Sequence, residues 1–129
     1  MAPGRDRLRA LLLLALAALF VARIALSWRE FSATADEGGH IASGVEIYQS
    51  GAYSLDIEHP PLGRLAVGLL PYLSGVRLSG TGTSWEQGRR LLEEAGDYWT
   101  TLTLARAGTL LFVPLLLYPL YRWSAAPYG

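Results

Sequence analysis

Two apolar runs, Ala10 to Ser27 and Thr101 to Tyr121, constrain this chain more than any other feature of it. The first, ALLLLALAALFVARIALS, is about 18 residues long, close to the roughly 20 that cross a hydrocarbon core as a helix. The second is broken only by Arg106 and contains Pro114 and Pro119. Spanning helices tolerate proline where neighbours satisfy the freed backbone groups. These runs hold much of a hydrophobic content of 51%, high for 129 residues meant for water. The expected fold class is an all-α membrane protein, with two transmembrane helices joined by a polar loop.

Charge sets the expected orientation. Residues 1–9 carry Arg5, Arg7 and Arg9 against Asp6, and a basic start favours a cytoplasmic N-terminus. Residues 10–28 then make the first span and 101–122 the second, in the plasma or inner membrane. Residues 29–100 form an exoplasmic loop, and 123–129 begin a cytoplasmic segment. Arg23 lies where its stem can snorkel to the interface, and Trp28 and Trp123 are placed as interfacial aromatics. A cleaved signal peptide competes for the first run, with small residues at Ala25 and Ser27, although Arg23, Ile24 and Leu26 make a poor cleavage region. A formal net charge of zero argues against a nucleic-acid footprint. The absence of cysteine removes disulfide and thiolate chemistry. Two spans cannot enclose a polar interior, so the chain is expected to be the beginning of something larger.

The loop carries signals for three short helices, at about 35–50, 61–73 and 84–95. Thr34 and Glu37 have the spacing of a capping box, and Gly51 suits the left-handed residue after a helix end. Ile41, Val45 and Tyr48 fall on one stripe, with Glu46 and Gln49 off it. This helix is expected to lie along the membrane surface or pack on other helices. Residues 52–58 alternate weakly and read as extended. His59 precedes a proline and should be extended, while Pro61 suits the first turn of the next, juxtamembrane or re-entrant, helix, interrupted at Pro71. Ser84, with Gln87 three residues on, marks the start of the third, and Gly96-Asp97 its end.

Between Thr34 and Arg64 lie both histidines and five of the eleven acidic residues. Asp36, beside Gly38 and Gly39, is the candidate general base, a carboxylate where a substrate hydroxyl can approach. The same Asp36 and Glu37 also make ordinary first-turn acids of a helix. His40 falls one turn after Asp36, on the same face. Asp36, Glu37, His40, Glu58 and His59 offer mixed oxygen and nitrogen ligands to a divalent metal, with Glu58 and His59 the foremost pair, but DExxH lacks the second helical histidine of a zinc motif. Arg64 and Arg106 can grip a phosphate or simply snorkel.

Ala35-Asp36-Glu37, His40, the Gly51-Ala52-Tyr53 bend, Glu58-His59-Pro60-Pro61-Leu62 and Ala105-Arg106, set between two spans, carry a resemblance over nearly the whole chain. The pattern resembles the N-terminus of GT-C glycosyltransferases. It is most similar to the polyprenyl-phosphate-sugar-dependent group, which includes protein O-mannosyltransferases and aminoarabinose transferases. The resemblance implies that Asp36 is the catalytic base, supported by Glu37. His40, Glu58, His59, Arg64 and Arg106 would lie toward the donor phosphate, with a metal in some members. The partners it implies are a polyprenyl-phosphate-linked sugar, an acceptor protein, lipid or glycan, and the bilayer. Aminoarabinose transferases have Lys where this chain has His59, and family members are several hundred residues long, so the piece alone is expected to be inactive. The rival expectation is a non-enzymatic two-span scaffold or regulatory subunit.

Overall fold

A computed structural model describes residues 3–94 and 97–128. Every regular element among the described residues is helical. The chain divides into two units, residues 1–31 and 32–129.

The first unit is one helix, α1 (Pro3–Ser27). Its stretch Arg7–Ser27, 21 residues, is long and apolar enough to cross a membrane. At 1.5 Å per residue it would reach roughly 30 Å, the thickness of a hydrocarbon core. Leu11, Leu14, Leu16 and Phe20 are all exposed, as a helix facing lipid would have them.

The second unit packs α2 (Glu37–Ser50), α3 (Pro61–Leu73), α4 (Ser84–Glu93) and α5 (Tyr98–Gly108) around a small core. Ile41, Val45, Leu91, Leu92 and Leu102 fill that core. The crossings of α2 with α3, α2 with α4 and α3 with α5 run over glycine. Gly44 of α2 lies on the Arg64 carbonyl and Gly68 of α3, Gly38 lies on Gly88 of α4, and Gly108 lies on the Ala66 carbonyl. A Cβ at Gly44, Gly88 or Gly108 would overlap backbone, so the helices meet at backbone distance. Tyr48 stacks on Tyr72 and donates to the Leu65 carbonyl at 3.0 Å, locking α2 to α3.

Several sequence expectations change in detail. α2 is buried on nearly every side, so it packs on other helices and does not present one stripe. Glu46, expected off the apolar stripe, is 8% exposed. The capping box at Thr34 is half formed: the Thr34 amide donates to Glu37 at 3.2 Å, but the Thr34 hydroxyl turns to Asp36 at 3.1 Å. Asp36 is therefore the N-cap, and the helix starts at Glu37. In α4 the capping box is Thr83–Glu86, one residue earlier than Ser84–Gln87. A carboxylate accepts the Thr83 amide more strongly than a neutral amide would, and it suits the helix dipole. α4 is assigned to Glu93; Ala95 and Gly96, the expected end, lie outside the described residues.

The second apolar run begins three residues before the expected Thr101. Asp97 caps α5, accepting from the Trp99 amide at 3.0 Å and the Thr100 hydroxyl at 2.6 Å. The run then tightens into a 3-10 turn, Thr109–Leu111, before α6 (Phe112–Tyr128). Pro114 explains the turn: it has no N–H for the Leu110 carbonyl and its ring crowds that carbonyl. Across this joint, Tyr98–Ala126 forms a second helical stretch, 29 residues, long and apolar enough to cross a membrane.

Candidate functional site

Two anchors bring the polar loop back over α2. The Glu46 carboxylate accepts the Ser54 and Leu55 amides at 3.0 and 3.1 Å, and the Ser54 hydroxyl as well. The Tyr53 hydroxyl donates to the His59 carbonyl. A buried carboxylate meeting several donors is the arrangement that makes such burial tolerable. It places residues 54–59 opposite the first turn of α2.

Asp56 is the centre of what results. It accepts from His59 Nδ1 at 3.0 Å, pairs with the Arg64 guanidinium, and lies 3.7 Å from His40 Nδ1. Arg64 also donates to the Pro60 carbonyl at 3.2 Å and to His40 Nδ1 at 3.1 Å. A guanidinium has no acceptor, so His40 Nδ1 contributes a lone pair and Nε2 carries the proton. That Nε2 lies 3.5 Å from the Asp36 carboxylate. The two imidazoles meet edge to face, 5.7 Å between centroids. A continuous polar chain therefore runs Asp36–His40–Arg64–Asp56–His59.

Electrostatics favour ionised acids here. The Asp36 carboxyl is held below its ordinary value by its own backbone amide first, then the Thr34 hydroxyl, then His40. Its side chain is 62% exposed, so it is charged and reachable. His59 first, then Arg64, hold the Asp56 carboxyl below its ordinary value against the opposing effect of burial.

Asp36, His40, Asp56, Glu58 and His59 line one open cleft of about 400 Å³, with Trp85 of α4 on its wall. Four of the seven residues singled out in the sequence thus converge. Arg64 does not reach the cleft as an open cation: its side chain is 5% exposed, and Asp56 neutralises it. Glu37 and Arg106 form a separate bidentate pair, Nε to Oε1 at 2.8 Å and Nη2 to Oε2 at 2.9 Å. Arg106 also donates to the Ser32 carbonyl at 3.1 Å. This pair anchors the start of α2 to α5, and neither member lines the cleft. Asp56 is the residue that sequence reasoning missed. Its three-residue spacing to His59 was visible, but its main partner, Arg64, becomes evident only once the loop folds back.

The cleft does not form a metal-ligand set. Among the described residues no three of His, Cys, Asp and Glu are arranged to hold an ion, and the Asp56 carboxylate is already engaged by Arg64 and His59. The arrangement is an ion-pair network with an ionised carboxylate at its open end. Comparison with protein families, curated proteins and solved structures finds no match to this chain.

Proposed function

We propose that this chain is the N-terminal part of an integral-membrane inverting glycosyltransferase that uses a polyprenyl-phosphate sugar as donor. In this reading α1 and the α5–α6 stretch are spans of a multi-pass protein, and the basic N-terminus faces the cytoplasm. Residues between the spans then lie on the exoplasmic side. The observation that carries the reading is the convergence of Asp36, His40, Glu58 and His59 on one cleft, with Asp36 ionised and exposed at its edge.

The chemistry follows from that placement. Asp36 accepts the proton of an acceptor hydroxyl as its oxygen attacks the anomeric carbon. The bond between that carbon and the phosphate oxygen breaks, configuration inverts, and the lipid phosphate leaves with the bonding pair. A base must be unprotonated at working pH and within hydrogen-bond reach of the proton it takes. An exposed, ionised carboxylate meets the first condition, and because its lowered pKa makes it a weaker base, the role rests on its placement at the cleft edge. The His40 Nε2–H faces the Asp36 carboxylate and the His59 Nδ1–H is taken by Asp56, so the two rings act here by orienting the carboxylates rather than by donating to the leaving phosphate. Glu58 and His59 occupy positions that the GT-C resemblance places beside the donor phosphate.

The test is transfer itself. Membranes carrying the complete protein of which this chain is proposed to be the N-terminal part, given a polyprenyl-phosphate sugar of known anomeric configuration, are expected to yield a glycosidic product of opposite configuration, detected by NMR. Product with retained configuration would remove the single-displacement mechanism. A protein whose cellular role survives Asp36→Ala would favour the scaffold reading.

A further inference from the structure

A second groove, about 450 Å³, lies beside the cleft and shares Gly39 and Trp85 with it. Its other walls include Ala35, Arg89, Glu93 and Tyr98. Both hollows fall in the volume range of small-molecule sites, roughly 300–1,000 Å³. We infer that this groove is a saccharide acceptor subsite in which a pyranose ring stacks on Trp85 and turns one hydroxyl toward Asp36. The inference rests on the glycosyl-transfer reading and adds the acceptor class to it.

Trp85 carries the argument. It is 57% exposed at the start of α4, a helix that buries Gln87, Gly88, Leu91 and Leu92 on its other side. A lone exposed apolar residue needs no explanation, but an indole forming the shared wall of two concave sites does. The groove is also held in shape. Gly38 on Gly88 brings α2 and α4 to backbone distance, the Thr83–Glu86 capping box sets the start of α4, and the Ala33 amide donates to the Tyr98 hydroxyl at 2.7 Å. On the rim, Arg89 and Glu93 pair at 3.2 Å with both side chains more than half exposed. They place a donor fork and an acceptor side by side.

A flat apolar ring with a guanidinium and a carboxylate at its edge matches a pyranose, whose axial C–H groups form an apolar face and whose hydroxyls ring the perimeter. An extended peptide would instead need a row of free backbone donors and acceptors. The backbone of α2 and α4 is bonded internally, and in the loop wall the Ala33 and Thr34 amides are taken by the Tyr98 hydroxyl and the Glu37 carboxylate. Ala35 and Gly39 line the groove while Asp36, between them, lines the cleft. The base therefore stands where the two hollows meet: donor on the histidine side, acceptor on the indole side.

The test is saturation-transfer NMR on the full chain in lipid nanodiscs, with methyl β-D-glucoside and cellobiose as probes and a threonine-containing tripeptide as comparator. The expected result is transfer concentrated on the axial protons of one ring face. It should fall at least fivefold in Trp85→Leu and keep at least half its strength in Trp85→Phe, with the helical circular dichroism of all three proteins unchanged. Equal signal in Trp85→Leu, no saccharide signal in the parent protein, or binding of the tripeptide alone would each overturn the inference. Trp85-dependent saccharide binding, with no sugar transfer by the complete protein of which this chain is proposed to be the N-terminal part, would support the subsite and remove only the glycosyl-transfer reading.

Discussion

At the scale of single residues, the site depends on how charges are neutralised. Arg64 is an almost fully buried guanidinium, and Asp56 is its countercharge. Removing one member of a buried pair leaves the other uncompensated in a poorly solvating interior. Asp56→Ala is expected to destabilise the second unit by about 3 kcal/mol, the low end of what such losses cost because Asp56 stays partly wetted. Thermal unfolding in detergent measures this; an unchanged midpoint would contradict the pairing. The same pair predicts an acid dependence. The folded Asp56 carboxyl lies below its ordinary 3.8, so the native state binds fewer protons than the unfolded chain. Its contribution is fully present above that value and is lost as pH falls through the lower folded value. Unfolding midpoints followed downward from pH 6 should drop less steeply in Asp56→Asn than in the parent. Parallel curves would show that Asp56 has no part in the acid response.

At the scale of elements, glycine decides what can approach what. Gly44 has the Arg64 carbonyl and Gly68 inside the space a Cβ needs, whereas nothing lies within 4 Å at Gly63. Both sit in helices, so the same substitution should have opposite signs. Gly44→Ala is expected to cost about 1–3 kcal/mol or more through overpacking. Gly63→Ala should stabilise by about 0.5–1 kcal/mol through backbone entropy. Unfolding of the two variants side by side checks this, and destabilisation of similar size in both would refute the crossing geometry. These elements were partly legible in the sequence. Gly51 does end α2 in the left-handed conformation, φ 71°, and Pro61 does open α3 at its first turn, because both rules are local. The register of the α4 cap was not legible, since Thr83–Glu86 and Ser84–Gln87 satisfy the same four-residue pattern. The burial of Glu46 was hidden too, because the groups that satisfy it arrive from residues 54 and 55.

At the scale of the whole molecule, the two apolar stretches and the all-helical character were readable from hydropathy and length, which need no knowledge of tertiary contacts. The site was half readable. Asp36 and His40 are joined by helical spacing, and Glu58 and His59 by adjacency to the proline pair. The pairings of Arg64 with Asp56 and of Arg106 with Glu37 depend on how the loop and helices pack. The proposed topology makes its own prediction, and the absence of native cysteine gives a clean background for it. Ser79→Cys should react with a membrane-impermeant maleimide in intact cells, and Arg5→Cys only after permeabilisation. The reverse pattern would invert the orientation, and loss of residue 5 from the mature protein would mark the first run as a cleaved leader.

The measurement that bears most directly on the central proposal is sugar transfer by Asp36→Asn in the complete protein of which this chain is proposed to be the N-terminal part. The substitution keeps the size of the side chain and removes its ability to take a proton. With membrane insertion matched to the parent protein, transfer from a labelled polyprenyl-phosphate sugar is expected to fall by at least about 100-fold, the lower range for loss of a general base. Transfer within a few-fold of the parent would contradict the assignment of Asp36 as the base.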